Sequence, residues 1–168
     1  MKKALIVIDM QNDFIDGALA NPDAQAIVKN IAREILSFDG DVFATRDTHG
    51  EIYLSTPEGK KLPVAHCIQN THGHAITDQI ANALEKKNAV VFDKPTFGYL
   101  DWEALDSYNE ITLVGTCTDI CVVSNALILK AKFPGTTVKV KAELCAGTSK
   151  ENHDAALTVM RCCQVEIE

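Results

Sequence analysis

No stretch of this chain approaches the ~18 consecutive apolar residues of a membrane-spanning helix, and no basic amphipathic segment suits a bilayer surface. Membrane association is therefore not expected. Basic residues are also in short supply. The 16 Lys and Arg face 23 Asp and Glu, a net charge of −7, and they are scattered rather than clustered, which argues against a nucleic-acid partner. Neither a Walker loop nor a Gly-x-Gly-x-x-Gly turn is present, so phosphate-cradling nucleotide chemistry loses its best support. Internal repeats, low-complexity tracts and interdomain linkers are likewise missing. The apolar run Ala4–Ile8 behind Met1-Lys2-Lys3 stops at Asp9, too soon for the roughly 7–15 apolar residues of a secretory signal.

What is there is an ordinary globular composition, 46% apolar and 23% charged over 168 residues, which fits one domain spanning 1–168. A chain of that length buries roughly 70% of its unfolded surface, so a core forms without disulfides or a structural metal. Six cysteines are present, two of them adjacent at Cys162-Cys163. With no export signal, reduced thiols and a cytoplasmic location are expected.

Short apolar runs alternate with helical patterns. Ala4–Ile8, Val42–Ala44, Ala89–Phe92, Ile111–Val114, Thr137–Val140 and Val165–Ile167 read as strands, the first four as runs buried on both faces. Helices are predicted over Asp23–Phe38, Ala75–Lys86, Thr118–Lys132 and Ser149–Cys162, with Pro134-Gly135 ending the third and Thr148 or Ser149 capping the fourth. Right-handed crossovers then give an α/β fold, a doubly wound six-stranded parallel sheet with helices on both faces, whose ligands sit beyond the carboxyl ends of the strands. Asp47 to Thr77 breaks the alternation. It holds Pro57, Gly59, Pro63 and four of the five histidines, and a connection that long is usually functional or disordered.

The predicted strand ends carry Asp9, Arg46-Asp47, Asp93-Lys94, and Gly115 followed by Thr116-Cys117-Thr118-Asp119-Ile120-Cys121. One polar residue at a strand end means little; a carboxylate, an ammonium and a thiol together suggest chemistry. With Thr118 as an N-cap, Cys121 falls near the third helical position, where free backbone N–H groups and a neighbouring Lys94 would lower its thiol pKa. A cysteine at that place in an apolar core would instead be inert packing. The same turn offers backbone amides from Cys117 to Cys121 as an oxyanion site, and Asp9 could carry protons if its surroundings raise its pKa. A salt bridge from Asp9 to Lys94 is compatible with that role.

Asp47-x-His49, with His66 further on, offers a carboxylate and two imidazoles for zinc or another divalent metal ion. His72 or His74 could replace His66, and Glu58 could add an oxygen ligand. His153, within the last predicted helix, reads as structural.

These residues resemble the isochorismatase-like cysteine hydrolase superfamily, whose best-known members are nicotinamidases. The resemblance spans nearly the whole chain. It rests on Val7-Ile8-Asp9-Met10-Gln11-Asn12-Asp13-Phe14, Thr45-Arg46-Asp47-Thr48-His49, Leu62-Pro63-Val64-Ala65-His66-Cys67, Lys94-Pro95-Thr96-Phe97 and Gly115-Thr116-Cys117-Thr118-Asp119-Ile120-Cys121-Val122. It implies a catalytic triad of Asp9, Lys94 and Cys121 and a metal site of Asp47, His49 and His66. It also implies a cis peptide between Thr116 and Cys117 that presents the Cys117 and Cys121 amides to an oxyanion, and a homo-oligomer. Members with glycine in place of the nucleophile cleave a vinyl ether, so Cys121 favours hydrolysis of a small carboxamide through a thioester, with nicotinamide the leading substrate. Nicotinamidases commonly carry Trp-Pro-x-His before the third metal ligand. Here Leu62 stands for the aromatic and one residue is added, which bears on the substrate wall. Phe14, Leu62, Phe97 and Tyr99 are the residues expected to line it. Hydrolysis of an N-carbamoyl or other amide is the nearest alternative. A non-catalytic small-molecule-binding protein is another, and a redox role for Cys117-x-x-x-Cys121 ranks last because the spacing is not Cys-x-x-Cys.

Overall fold

The computed structural model describes residues 1–168. In chain order the elements are β1 (Lys3–Ile8), α1 (Asn12–Ile15), α2 (Pro22–Ser37), β2 (Asp41–Asp47), α3 (Pro57–Lys61), α4 (Asp78–Lys86), β3 (Val90–Lys94), β4 (Glu110–Thr116), α5 (Val123–Lys132), β5 (Thr137–Ala146), α6 (Lys150–Cys162) and β6 (Glu166–Ile167). All strand pairs are parallel, in the order β3-β2-β1-β4-β5-β6.

The central strand shows how the sequence produces the layers. Strand side chains alternate between faces, so Leu5 and Val7 pack with Ile31 and Ile35 of α2 and Ile80 and Leu84 of α4. Ala4, Ile6 and Ile8 pack on the opposite face with Leu129 of α5 and Leu157 and Met160 of α6. Because both faces of β1 are covered, it reads as an unbroken apolar run. Helix starts follow local chemistry: Asn21 accepts a hydrogen bond from the Asp23 amide with Pro22 opening α2, and Ser149 accepts one from the Asn152 amide to cap α6.

Three expectations are corrected. β3 is not buried on both faces; it is an edge strand with Val90 and Val91 exposed. β5 runs on to Ala146, because an irregular register between Leu113 and Gly115 lets it resume pairing at Cys145 after the charged stretch that hid its second half. The helix predicted from Thr118 is a single π turn, Thr118–Val122, leading into α5.

The order in which strands are added reverses between β1 and β4, and a cleft opens at their carboxyl ends, where such sheets hold ligands. Gly115 makes the approach possible. Its φ is +124°, and a Cβ there would lie 2.1 Å from the Ile8 carbonyl oxygen, on the strand that leads to Asp9. Gly115→Ala is expected to lower stability by about 3 kcal/mol, read as a drop in thermal midpoint; an unchanged midpoint would contradict this packing.

Candidate active site

The residue after β1, Asp9, turns the chain with φ +49° and is wholly buried. The last residue of β3, Lys94, is equally buried, and its Nζ lies 2.7 Å from Asp9 Oδ2 and 3.4 Å from Cys121 Sγ. Thr45 Oγ1 donates to Asp9 Oδ1 at 2.7 Å. Asp9, Lys94 and Cys121, far apart in sequence, therefore share one cleft. The Thr116–Cys117 peptide is cis, and the π turn that follows carries Cys121.

Thr118 does not cap this turn. It lies inside it, and its Oγ1 is 2.8 Å from His153 Nδ1, tying the turn to α6. His153 thus has the structural place expected of it. The thiol pKa also departs from expectation. Burial, and then the Asp9 carboxylate, push Cys121 well above its ordinary value despite the Lys94 charge. Burial likewise raises Asp9, against the lowering by Lys94. Lys94 keeps its proton: burial disfavours the charge, but Asp9, Cys121 and Asp47 more than offset that. The Lys94 ammonium therefore stands in contact with both the Cys121 sulfur and the Asp9 carboxylate. Burial raises the Cys117 thiol to about 11.

The second cluster forms where β2 ends. The His49 amide donates to the Cys67 carbonyl at 3.0 Å and the Gln69 amide to the His49 carbonyl at 2.8 Å, so the long Asp47–Thr77 segment folds back and returns His66 to Asp47. His49 Nε2 and His66 Nε2 lie 2.9 and 3.5 Å from Asp47 Oδ2. The ligand atoms of the three residues all fall within 4.8 Å of one another. Glu58 Oε1 stands 3.7 Å from His49 Nε2. Burial would raise Asp47, but the His49 and His66 contacts and the Lys94 charge hold it well below the usual carboxylate range.

One detail fits a divalent metal ion: His66 Nδ1 is 2.8 Å from the Val64 carbonyl, an acceptor that places the ring proton there and frees Nε2 as a ligand facing Asp47 Oδ2. His74 is not part of the cluster: its Nε2 is 2.8 Å from Thr48 Oγ1. His72 is exposed and serves through its carbonyl, which accepts from Asn12 Nδ2.

A cavity of about 400 Å³ joins the two clusters, lined by Phe14, Leu62 and Phe97 and also by Leu19, Ile120 and Thr148, with Asp47, Glu58, His66, Cys117 and Cys121 at its chemical end. Tyr99 does not line it. Its ring stacks on Phe92 at 5.1 Å and meets Trp102 edge-on, so it belongs to the core. Sequence reasoning overlooked three supports. Gln11 is wholly buried, donates to the Asp47 and His74 carbonyls and accepts from the Asp47 amide. Asp13 Oδ2 accepts from the Cys67 amide, beside His66. Tyr53 packs its ring against both His49 and His66. Gln11 and Asp13 carried a signal, polar side chains directly after a buried strand; Tyr53 carried none.

Known proteins are similar to this chain over nearly its whole length. The chain is 32% identical to a nicotinamidase/pyrazinamidase of Mycobacterium tuberculosis, over 98% of this chain and 97% of that protein. Among solved structures, the pyrazinamidase/nicotinamidase of Streptococcus mutans superposes with a TM-score of 0.85 at 30% identity, covering 99% of this chain and all of that one. The pyrazinamidase of Pyrococcus horikoshii in complex with zinc superposes at 0.84 and 26% identity, covering 100% and 99%. The isochorismatase domain model matches residues 3–167. On that match, together with the sheet order and the shared coverage, the chain belongs to the isochorismatase family.

Proposed function

We propose that this protein is a cysteine-dependent amidohydrolase that converts nicotinamide to nicotinate and ammonia, acting as one domain over residues 1–168. The observation that carries it is the buried contact of Lys94 with both Asp9 and Cys121, at 2.7 and 3.4 Å, opening on an apolar cavity. Relatives named nicotinamidase, including those of Saccharomyces cerevisiae and Escherichia coli, support the substrate.

The steps follow from the protonation states. As Cys121 Sγ attacks the amide carbon, its proton passes to Asp9, whose raised pKa suits it to accept one. The developing oxyanion is held by the Cys117 and Cys121 backbone amides. Asp9 then protonates the departing nitrogen, ammonia leaves and a thioester remains. Water, deprotonated by Asp9, adds to the thioester; collapse releases nicotinate, and the proton returns to the sulfur. Lys94 stays charged throughout, fixing Asp9 and stabilising the transient thiolate.

Asp47, His49 and His66, with Glu58 as a further oxygen donor, would hold a divalent metal; imidazole nitrogens suit zinc, which the pyrazinamidase of Pyrococcus horikoshii holds. When bound, the ion supplies a Lewis-acidic contact for a substrate heteroatom such as the pyridine nitrogen. Phe14, Leu62 and Phe97 flank the ring. No Arg or Lys lines the cavity, which ranks nicotinamide above N-carbamoyl amino acids, whose carboxylate would find no cationic side chain there. No helix is long and apolar enough to cross a membrane. Six unpaired thiols support a reducing, cytoplasmic setting. The exposed Val90 and Val91 on the open β3 edge support a homo-oligomer.

Cys121→Ala is expected to reduce ammonia release from nicotinamide by about 10⁴-fold or more with the thermal midpoint kept; near-normal turnover would exclude covalent catalysis by this thiol. A panel of nicotinamide, pyrazinamide and carbamoyl amino acids should give the pyridine and pyrazine amides the highest kcat/KM, and preference for a carbamoyl compound would replace the substrate assignment. Stripping the metal with a chelator should raise KM for nicotinamide, with recovery on adding zinc. An unchanged KM in protein shown to be metal-free would remove the ion from substrate binding.

A further inference from the structure

Asn125 lies on α5, four residues after Cys121, and is wholly buried outside the cavity lining. Its side chain is bonded in three directions. Nδ2 donates to the Cys121 carbonyl at 2.8 Å and to the Phe97 carbonyl at 3.1 Å, while Oδ1 accepts from the Tyr99 amide at 2.8 Å. One carboxamide thus joins the nucleophile turn to the loop that follows Lys94.

That loop is held at every residue around Phe97. Lys94 Nζ donates to the Thr96 carbonyl at 3.1 Å, and Thr96 Oγ1 to the Gly98 carbonyl at 2.7 Å. Gly98 lies so close to α5 that a Cβ would sit 2.3 Å from Ile128 Cδ1. Tyr99 is locked between Phe92 and Trp102. The Phe97 ring, by contrast, is 45% exposed and lines the cavity beside Cys121. An aromatic wall that receives a flat ring gains affinity when its backbone is fixed beforehand, because ordering it need not accompany binding.

We propose that Asn125 is a positioning residue that sets Phe97 at its place in the cavity it shares with Cys121 and thereby governs the affinity of the cavity for flat aromatic amides. This rests on the amidase reading of the same site. Asn125 touches neither substrate nor sulfur, so its effect belongs in KM and binding rather than in kcat.

The neighbouring residue supplies the means to test it. Ser124 Oγ donates to the Ile120 carbonyl four residues back at 2.6 Å, so Asn125→Ser keeps a donor for the Cys121 carbonyl and removes both bonds to the loop. Expected are a KM for nicotinamide raised about tenfold and a kcat within about twofold of the parent, the loss of two neutral hydrogen bonds. In a Phe97→Ala background the same substitution should raise KM no further. Calorimetric binding of nicotinamide and of benzamide in a Cys121→Ala background should repeat the tenfold loss without turnover. Asn125→Thr serves the same comparison should the serine variant fail to fold. A fall in kcat at constant KM, an equal loss in the Phe97→Ala background, or absence of flat-amide binding by the parent would each overturn the proposal. Tight binding without turnover in the wild-type protein would overturn the amidase reading alone.

Discussion

The buried ammonium of Lys94 is the constraint on which the rest of the site depends. A charge taken fully out of water must be compensated, and breaking such a pair by removing one partner costs about 3–5 kcal/mol. Here the compensation comes from Asp9 Oδ2 at 2.7 Å and Asp47 Oδ1 at 3.5 Å, residues that end two other strands. Lys94 sits on the edge strand β3, in register with Asp47 on β2, and reaches across to the tip of β1. Satisfying one charge therefore brings three strand ends together, and the thiol after β4 lies within 3.4 Å of the same atom.

Asp47 connects that ion pair to the histidine cluster. One carboxylate faces Lys94 through Oδ1 and both imidazoles through Oδ2, so the Asp9–Lys94 pair and the histidine cluster are electrostatically linked. Around them lies a shell of neutral carboxamides and hydroxyls. Gln11 grips Asp47 on both sides of its backbone, Thr45 steadies Asp9, and Asn125 ties the Cys121 turn to Phe97. Neutral groups suit this work, since they fix geometry by hydrogen bonds without adding charge to a site already crowded with it.

Much of this was legible beforehand, for identifiable reasons. β1 and β4 are buried on both faces, which writes them into the chain as unbroken apolar runs, and the residues that end them are conspicuous by polarity. The cluster of Asp47, His49 and His66 was visible as residue types, yet nothing local chose His66 over His72 or His74. That choice was made by the pairing of His49 with Cys67 and Gln69. Tyr99 and Phe97 stand two residues apart and look alike in sequence; the Asn125 bonds, the Phe92 stack and the Trp102 edge contact turn one ring against the core and leave the other at the cavity. β3 and β5 were misjudged because edge exposure and an irregular register depend on neighbours that the local pattern does not contain.

By itself, the order of apolar and polar residues determined the layered α/β architecture, the placement of reactive side chains at strand ends and the family to which the chain belongs. These depend on local periodicity and on short stretches of residues. Protonation states were decided only by the tertiary structure. The turn position of Cys121 promised a lowered thiol pKa, but full burial beside Asp9 raised it instead. Desolvation and charge contacts are properties of the packed molecule, set by residues from β1, β2 and β3 that meet only after folding.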